Sequence, residues 1–533
     1  MDALFLPLAD AVGASVDQIK LISCLLIAYP LGSLFVRVPA TQPALRHLFS
    51  IVVAIIFFFP VLKIYSAFFQ LLASILATYF IAKYDKSAKM PWVVFVVVMG
   101  HLTVNHVIRA IYGFSYETME VTGPQMVLTM KLTTFAWNVY DGRRKEEDLD
   151  KWQLSKRITK YPSLLEFLGY SFYFPGILVG PYLDYPEYME LINETMFQHA
   201  HVKATLKAGH RLPPGRKRAA YSKMFMGLVY LGAFVLYGGK YNYAVSLKDD
   251  FVKMSLLKRI AIYQLSGPIE RAKYYAIWTL TEGASILTGL GFTDVGAHGE
   301  AHWDGAANVK VWTIEFPPNF KVLLDSWNMK TNIWLRECVY KRVTPKGKKP
   351  GNTSSMITFF TSAFWHGIAS GYYLTFLMGG FITAAARQAR ANFRPLLIPP
   401  PGAPANTPPT FAKRVYDLLG IVLSAMILNY SASPFILLSA RDSITTWQRL
   451  GWYGHVVVLG SLVFFAAGGT RYFRALQKKK GVLPPPRGAK PTAAANGAAT
   501  NGNGSANGSG VGTPVSEKNF ILPPSVDKVL HVQ

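Results

Sequence analysis

The chain contains many uninterrupted apolar stretches that are as long as a helix needs to be to cross a lipid bilayer. A spanning helix takes about 20 mostly apolar residues, because the hydrocarbon holds no water to satisfy the backbone. The clearest stretches are 21–36, 49–62, 67–82, 91–114, 221–239, 272–292, 355–386, 415–437 and 452–469. Shorter or more polar stretches are 126–140, 164–180 and 251–267. The pattern predicts an all-α, polytopic integral membrane protein with about ten to twelve membrane segments.

Composition supports a membrane protein and argues against several other classes. Only 16% of the 533 residues are charged, against roughly 25% in soluble chains. Cys24 and Cys338 form no CxxC pair, so neither a metal site nor redox chemistry is expected. The formal net charge is +25, but the cations flank predicted spans and form no single patch, which argues against nucleic-acid binding. The sequence has neither a P-loop nor a Gly-x-Ser-x-Gly motif, so an ATP-driven pump or a serine esterase is unsupported.

Lysine and arginine are concentrated in two loops, 141–161 and 201–223, which the positive-inside rule places in the cytosol. Only the stretch 164–180 lies between them, so it is predicted to be re-entrant. From residue 471 onward a basic cluster gives way to Pro-rich and Ala/Asn/Gly-rich sequence. Such sequence buries too little apolar area to order itself. We therefore predict a membrane-embedded domain over 1–470 and a disordered, basic, cytosolic tail over 471–533.

One segment with a candidate catalytic residue is Phe-Trp-His-Gly-Ile-Ala-Ser-Gly-Tyr-Tyr at 364–373, in which His366 lies within an apolar run. Ionisable residues inside a membrane are costly, so each is a candidate for function. Imidazole is well suited to act as a general base near neutral pH. Taken alone, however, a histidine in an apolar helix is more often a hydrogen-bonded packing residue than a catalyst.

A second segment with a candidate catalytic residue covers 326–342. Read as a helix, it places Trp334, Cys338 and Lys341 on one face, which predicts an amphipathic segment at the bilayer surface. Asn328 is not explained by an anchoring role alone. Its uncharged amide can donate a hydrogen bond to a developing oxyanion or hold a reacting group in place.

Together, Trp-Asn-x-x-Thr-x-x-Trp-Leu at 327–335 and Trp-His-Gly-x-x-x-Gly-Tyr at 365–372 resemble the paired motifs of the membrane-bound O-acyltransferase (MBOAT) family. Further blocks similar to those of the family lie at 138–142, 174–185, 271–278, 282–283, 289–292 and 303–304. The resemblance covers roughly 48–469 and is strongest to the broad-specificity lysophospholipid acyltransferases of fungi.

The resemblance implies an intramembrane reaction chamber in which an acyl group moves from acyl-CoA to the free hydroxyl of a lysophospholipid. It implies His366 as the general base and Asn328 as its assistant, either orienting the acceptor or stabilising the oxyanion. Acyl-CoA is then a co-substrate, and no permanently bound cofactor is expected. The expected location is the endoplasmic reticulum membrane, with membrane lipids as surroundings. The oligomeric state stays open.

A wider set of residues near these motifs is expected to bind substrate. It comprises Trp365, Trp327, Thr331, Trp334, Arg336, Lys273, Tyr274 and Glu282. The cations Arg271, Lys273, Arg336, Lys341 and Arg342 can hold phosphates of CoA or of the lysophospholipid, or they can be charges at the membrane interface. Glu282 can pair with a buried cation or face the chamber, and pairing is the expected role.

Two alternatives stay open from the sequence. Other branches of the MBOAT family acylate diacylglycerol, sterols or proteins, so the acceptor can differ. His101, His106 and Arg109 lie together in one predicted span, and such a cluster is also typical of a proton or ion pathway in a transporter.

Overall fold

The computed structural model describes residues 2–114, 118–203, 206, 211–296, 298–345, 351–399, 404 and 407–482. This part of the chain is helical almost throughout, which confirms the all-α prediction. Its strands are two residues each, β1 (Asp294–Val295) and β2 (Ala301–His302), and they pair antiparallel. The predicted tail over 471–533 begins inside the last helix, and from residue 483 onward it lies outside the described residues.

The amino-terminal helices are α1 (Asp2–Val12), α2 (Val16–Phe35), α3 (Pro43–Ile56), α4 (Tyr65–Tyr84), α5 (Met90–Ile111), α6 (Thr122–Asp141), α7 (Lys151–Lys156), α8 (Leu164–Ser171), α9 (Tyr185–Asn193) and α10 (Ala200–Lys203). The central helices are α11 (Arg216–Tyr237), α12 (Asp249–Lys253), α13 (Leu256–Thr288), α14 (Val311–Glu315), α15 (Phe320–Ser326) and α16 (Met329–Trp334). The carboxyl-terminal helices are α17 (Asn352–His366), α18 (Ser370–Phe393), α19 (Phe411–Leu437), α20 (Ala440–Arg449), α21 (Tyr453–Phe464) and α22 (Thr470–Lys479).

Several of these helices continue into, or are joined by, tighter or wider turns. π-helical turns cover Phe57–Val61, Leu335–Tyr340 and Phe465–Gly469. Short 3-10 turns cover Glu146–Asp148, Thr195–Phe197, Tyr243–Leu247 and Arg394–Leu396.

Seven helices in the described ranges are long and apolar enough to cross a membrane. They are α2, α3 with its π-helical extension, α4, α5, α11, α19 and the helix formed by α21 and α22 together. Three more helices, α6, α13 and α18, have 20, 33 and 24 residues but carry more polar side chains. The count of about ten to twelve membrane segments therefore stays a prediction. The protein is thus a polytopic, helical membrane protein, as predicted.

Two of the predicted segment boundaries are wrong. The stretch 355–386 is not one helix, because Gly367 adopts φ 132° and ψ −167° and separates α17 from α18. Conversely, 251–267 and 272–292 are not two separate spans, since α13 runs through Pro268 between them. The charged residues Glu270 and Arg271 suggest a break in hydropathy, but their side chains are buried in pairs inside the protein. Polar partners therefore let a helix continue where hydropathy alone predicts a loop.

The prediction of a surface-lying amphipathic helix at 326–342 is also wrong. The segment forms α16 and then a π-helical turn, and Trp334, Cys338 and Tyr340 are all completely buried. Lys341, expected to reach for the lipid surface, instead forms ion pairs with Glu337 at 2.6 Å and Asp150 at 2.8 Å. The segment is thus held inside the protein, where it positions side chains rather than anchoring the fold to lipid.

A buried ionic network ties α13 to α14 and α19. The guanidinium of Arg271 donates to both carboxylate oxygens of Glu315, at 2.9 and 2.6 Å, and to the Asn429 side chain at 2.6 Å. The hydroxyl of Tyr275 donates to the same carboxylate at 2.6 Å. Removing one partner from such a network leaves a buried charge without compensation, which is strongly destabilising.

Arg271→Leu should therefore lower the free energy of unfolding by about 3–5 kcal/mol, because Glu315 loses its ion pair while the apolar bulk is kept. The midpoint of thermal unfolding in detergent measures this loss. Lys253→Leu is the control, since Lys253 pairs with Asp250 at the exposed surface, and it should leave the midpoint unchanged. Equal midpoints for the two variants would contradict the structural role of Arg271.

Candidate active site

A cavity of about 670 Å³ lies between α5, α6, α13, α16 and the junction of α17 and α18. Its apolar and aromatic lining includes Met126, Val127, Met130, Leu178, Tyr182, Ile277, Trp278, Trp365, Tyr372 and Phe435. Its polar lining includes His106, Arg109, Thr122, Tyr274, Asn308, Asn328, Lys330, Thr331 and His366. A mostly apolar cavity with a few convergent polar groups is typical of a ligand site. We call it the chamber.

His366 is the last residue of α17, and its ring stands among aromatic side chains. Ring centroids of Trp365 and Phe435 lie 4.6 and 4.7 Å from that of the imidazole, and the Phe376 ring stacks on it at 5.4 Å. Neither nitrogen of this ring makes a hydrogen bond to any residue that the structure describes. The expectation of a satisfied packing histidine therefore fails, and the imidazole can serve a ligand in the chamber.

Gly367 sets the direction in which the chain leaves His366. Its φ of 132° lies in the region that only glycine adopts readily, so the helix ends here and α18 begins three residues later. A Cβ atom on Gly367 would also approach the Nδ1 atom of His106 to 3.3 Å. The side of this turn without a side chain thus faces another chamber residue, His106.

Of the three residues that suggested a transport pathway, His106 and Arg109 line the chamber and His101 does not. The Nε2 atom of His106 lies 3.2 Å from the carbonyl oxygen of Trp365 and so contacts the turn beside His366. Arg109 donates to Glu120 at 2.7 Å, which neutralises it at the edge of the chamber. His101 instead bonds the Ser74 hydroxyl at 2.7 Å. Two of the three residues thus line the chamber.

Asn328 directly precedes α16 and has a left-handed backbone, with φ 44° and ψ 53°. Its side-chain oxygen accepts hydrogen bonds from the Asn308 amide at 3.1 Å and from the Thr331 hydroxyl at 2.8 Å. The Asn328 Nδ2 atom has no hydrogen-bond partner within the described ranges. Since Asn328 lines the chamber, this NH₂ group is available as a donor to a ligand.

A smaller cavity of about 90 Å³ adjoins the chamber and shares some of its lining residues. Asn328, Thr331 and His366 line both cavities. The remainder of the smaller lining includes Leu324, Trp327, Leu335, Tyr340, Phe359, Ser362 and Phe376. The imidazole and the amide thus stand where two cavities meet, which is where two ligands could react with each other.

The aromatic residues expected to bind substrate fall into two groups. Trp365 and Tyr274 line the chamber, and Trp327 lines the smaller cavity. Trp334 lies behind this lining, where its indole donates to the Thr133 hydroxyl at 2.8 Å and its ring packs on Trp365. Trp334 therefore supports the wall of the chamber from outside.

The charged residues expected to bind substrate all have partners within the protein. Glu282 pairs with Lys223 at 2.8 Å, which is the pairing expected from the sequence. The remaining pairs are Arg336 with Glu337, Lys273 with Glu270, and Arg342 with Asp141. None of these residues appears in the lining of the two cavities. In this arrangement these residues are paired within the protein, and their role in substrate binding stays a prediction.

The pair of Lys341 and Asp150 lies outside the membrane-spanning helices, and its electrostatics agree with a stable ion pair. Burial acts to raise the pKa of the Asp150 carboxyl, but the Lys341 ammonium together with hydrogen bonds from the N–H groups of Gln153 and Trp152 outweighs it, and the pKa lies below its ordinary value. Asp150 thus stays ionised beside its partner.

Three polar residues of the chamber lining escaped the sequence analysis, namely Thr122, Asn308 and Lys330. Lys330 lines the chamber and makes no ion pair with any described residue. Asn308 lies 20 residues before Asn328 and belongs to no block of the resemblance, so the sequence carries no signal for it. Lys330 was signalled only by its place between two motif residues, Asn328 and Thr331.

Comparison with known proteins gives consistent matches. Residues 108–433 match the model of the membrane-bound O-acyltransferase family, MBOAT. A lysophospholipid acyltransferase of Schizosaccharomyces pombe is 38% identical over 466 residues, covering 87% of this chain and 89% of that protein. One of Saccharomyces cerevisiae is 36% identical, covering 90% and 80%. The human membrane-bound glycerophospholipid O-acyltransferase 1 is 30% identical, covering 86% and 91%.

Gly367→Ala should lower the free energy of unfolding by about 1–3 kcal/mol, because alanine is strained at this positive φ. Thermal unfolding in detergent provides the measurement. Gly379→Ala is the matched control, since Gly379 lies inside α18 and a Cβ there meets only Phe359, at an ordinary 3.6 Å. The control should keep or slightly raise the midpoint. An unchanged midpoint for Gly367→Ala would argue against strain at this turn.

Proposed function

Because the chain belongs to the membrane-bound O-acyltransferase family, we propose that it is a lysophospholipid acyltransferase, which moves an acyl group from acyl-CoA to the free hydroxyl of a lysophospholipid. As a family member it is an O-acyltransferase of the membrane. The observation that carries the proposal is the meeting of His366 and Asn328 at the junction of two cavities. Acyl-CoA is the co-substrate, and the reaction needs no permanently bound cofactor.

His366 is the proposed general base. An alcohol is a poor nucleophile until its proton is removed, whereas the thioester carbonyl of acyl-CoA is already activated. The imidazole takes the hydroxyl proton as the new C–O bond forms. The tetrahedral intermediate then collapses, the C–S bond breaks, and the departing thiolate takes the proton from the imidazolium. No covalent enzyme intermediate is required.

Asn328 is the proposed stabiliser of the oxyanion in that intermediate. Its side-chain oxygen is occupied by Asn308 and Thr331, so the group it can offer a ligand is its NH₂. An NH₂ group donates to a negative oxygen but cannot accept the proton of an attacking hydroxyl. This favours oxyanion stabilisation over the alternative in which Asn328 accepts a hydrogen bond from the acceptor hydroxyl.

Lys330 is proposed to attract the phosphate of the acceptor. Both substrates carry phosphate, and an ammonium in a chamber with an apolar lining favours an anion. Arg109, the other cation in the lining, is already paired with Glu120. Lys330 is therefore the better candidate of the two for a substrate phosphate.

The proposed location is the endoplasmic reticulum membrane, with the carboxyl-terminal region from residue 471 facing the cytosol. The family resemblance supports the compartment. Basic residues in α22 support the orientation, because cations next to a span favour the cytosolic side. Arg471, Arg474, Lys478 and Lys479 all belong to this helix.

His366→Ala should lower acyl transfer by about 10²- to 10⁴-fold, because the general base is lost. The measurement is acyl-CoA-dependent esterification by the purified protein in nanodiscs, with lysophospholipids, diacylglycerol and a sterol as acceptors. His201→Ala is the control, since His201 is an exposed histidine paired with Asp294 away from the chamber.

Transfer to lysophospholipids that the His366 variant loses and the His201 variant keeps would support the proposal. Transfer to diacylglycerol or the sterol instead would assign the enzyme to another branch of its family. Wild-type activity retained by His366→Ala would exclude the imidazole as the base.

Lys330→Met should raise the KM for lysophospholipid about tenfold or more, because a hydrogen bond to a charged group contributes about 1.5–3 kcal/mol. Lys330→Arg keeps the charge and should change this KM little. The KM for acyl-CoA is measured in parallel, and monoacylglycerol serves as an acceptor without phosphate. A rise only in the KM for acyl-CoA would assign Lys330 to the donor, and no rise in either would remove it from phosphate binding.

A further inference from the structure

The side chain of Asn328 can be oriented in two ways, which exchange its oxygen and its NH₂ group. Its proposed role depends on which of the two faces the reacting atoms. Hydrogen-bond partners decide the orientation of an amide, because a group that can only donate must face an oxygen. The hydrogen bonds of Asn308 settle this question for Asn328.

Asn308 has its own orientation fixed by the backbone of α16. The N–H of Lys330 donates to the Asn308 Oδ1 atom at 3.0 Å, and a backbone N–H can only donate. The Asn308 oxygen must therefore point at α16, which turns its NH₂ group toward Asn328. That NH₂ group lies 3.1 Å from the Asn328 oxygen and can only donate to it.

The orientation of Asn328 follows from the same chain of donors. With its oxygen held by Asn308 and by the Thr331 hydroxyl at 2.8 Å, its NH₂ group is turned to the opposite side. The hydroxyl alone would not fix the amide, because a hydroxyl can donate or accept. The orientation thus depends on Asn308.

Asn308 also holds the unusual backbone at Asn328. Its carbonyl oxygen accepts from the N–H of Met329 at 2.9 Å, so Asn308 satisfies the first two N–H groups of α16. Asn328 precedes the helix but makes no capping hydrogen bond with its side chain. Because Asn308 caps the helix in its place, the Asn328 NH₂ group is not used for capping and can donate to a ligand.

Asn308 itself is well placed to act as a support. It is 5% exposed, and the chain around it is fixed on both sides. The N–H of Lys310 donates to the Ser326 carbonyl at 3.0 Å, and the N–H of Ala307 donates to the Asp304 carbonyl at 3.0 Å. The segment before α14 is thus fastened to the end of α15.

We propose that Asn308 is a positioning residue that holds the Asn328 amide with its NH₂ group toward the reacting carbonyl. This inference rests on the proposed function, in which Asn328 stabilises the oxyanion. Asn308 acts through Asn328 and donates no hydrogen bond to the substrate in this role.

Asn308→Asp tests the inference with a side chain of the same shape. One carboxylate oxygen still accepts from the Lys330 N–H, but the other faces Asn328 as an acceptor. It attracts the Asn328 NH₂ group and repels its oxygen, so the amide should rotate and turn its oxygen to the reacting carbonyl. The kcat for acyl transfer should fall about 10²- to 10³-fold, as for loss of an oxyanion donor. The KM for monoacylglycerol, the acceptor without phosphate, should stay within about threefold, because its binding contacts are kept.

A double-mutant cycle with Asn328→Ala separates positioning from a general structural effect. If Asn308 acts through Asn328, then Asn308→Asp should lower kcat no further once Asn328 is alanine. Asn392→Asp is the matched control, since Asn392 is a buried asparagine of α18 that donates to the Gln388 carbonyl at 2.8 Å away from the chamber. The control should keep wild-type kcat.

A kcat within about twofold of wild type for Asn308→Asp would overturn the inference, and so would effects of the two substitutions that multiply. If Asn308→Asp does not fold, Asn308→Ser removes the amide that donates to Asn328 and should still lower kcat at least about tenfold. An absence of acyl transfer in the wild type would instead reject the proposed function. Normal activity in Asn328→Ala would reject the role of that amide, and the inference with it.

Discussion

The cost of burying a charge without a partner determines how this protein is held together. Taking an ion out of water is unfavourable by several kcal/mol in real proteins, and only a close partner with good geometry offsets this. The helices are accordingly joined by ion pairs that include buried charges, Arg271 with Glu315, Arg342 with Asp141, and Glu282 with the half-buried Lys223. The same pairs explain why cations that looked suited to substrate phosphates are engaged in holding the fold.

Polar groups without a protein partner occur in several parts of the described chain, and those that line a cavity indicate where a ligand belongs. The His366 imidazole and the Asn328 NH₂ group make no hydrogen bond to the described part of the chain, and both residues line the two cavities. A polar group can stay without a protein partner where a substrate or water reaches it. The chamber is such a place, so the two unpartnered groups and the space beside them support one conclusion.

Hydropathy and motifs in the sequence were enough to predict the helical membrane fold and the residues at the centre of the chamber. They could not predict the break at Gly367, because an apolar run does not record a positive φ. They also divided α13 at Glu270 and Arg271, since the partners of these charges come from distant parts of the chain. Asn308 was missed for the same reason: its role lies in contacts across 20 residues that no local pattern encodes.

Both central residues lie where a helix is interrupted, and this placement has a physical reason. Inside a regular helix the backbone is satisfied and side chains pack on neighbouring helices. Irregular backbone at membrane depth is tolerated only where it is buried in protein or lines a cavity. His366 ends α17 before Gly367, and Asn328 stands in a left-handed conformation before α16. His106 contacts the first break and Asn308 caps the second, so each interruption has a dedicated partner. The breaks that hydropathy cannot detect are thus the features that place the His366 imidazole and the Asn328 amide at one junction.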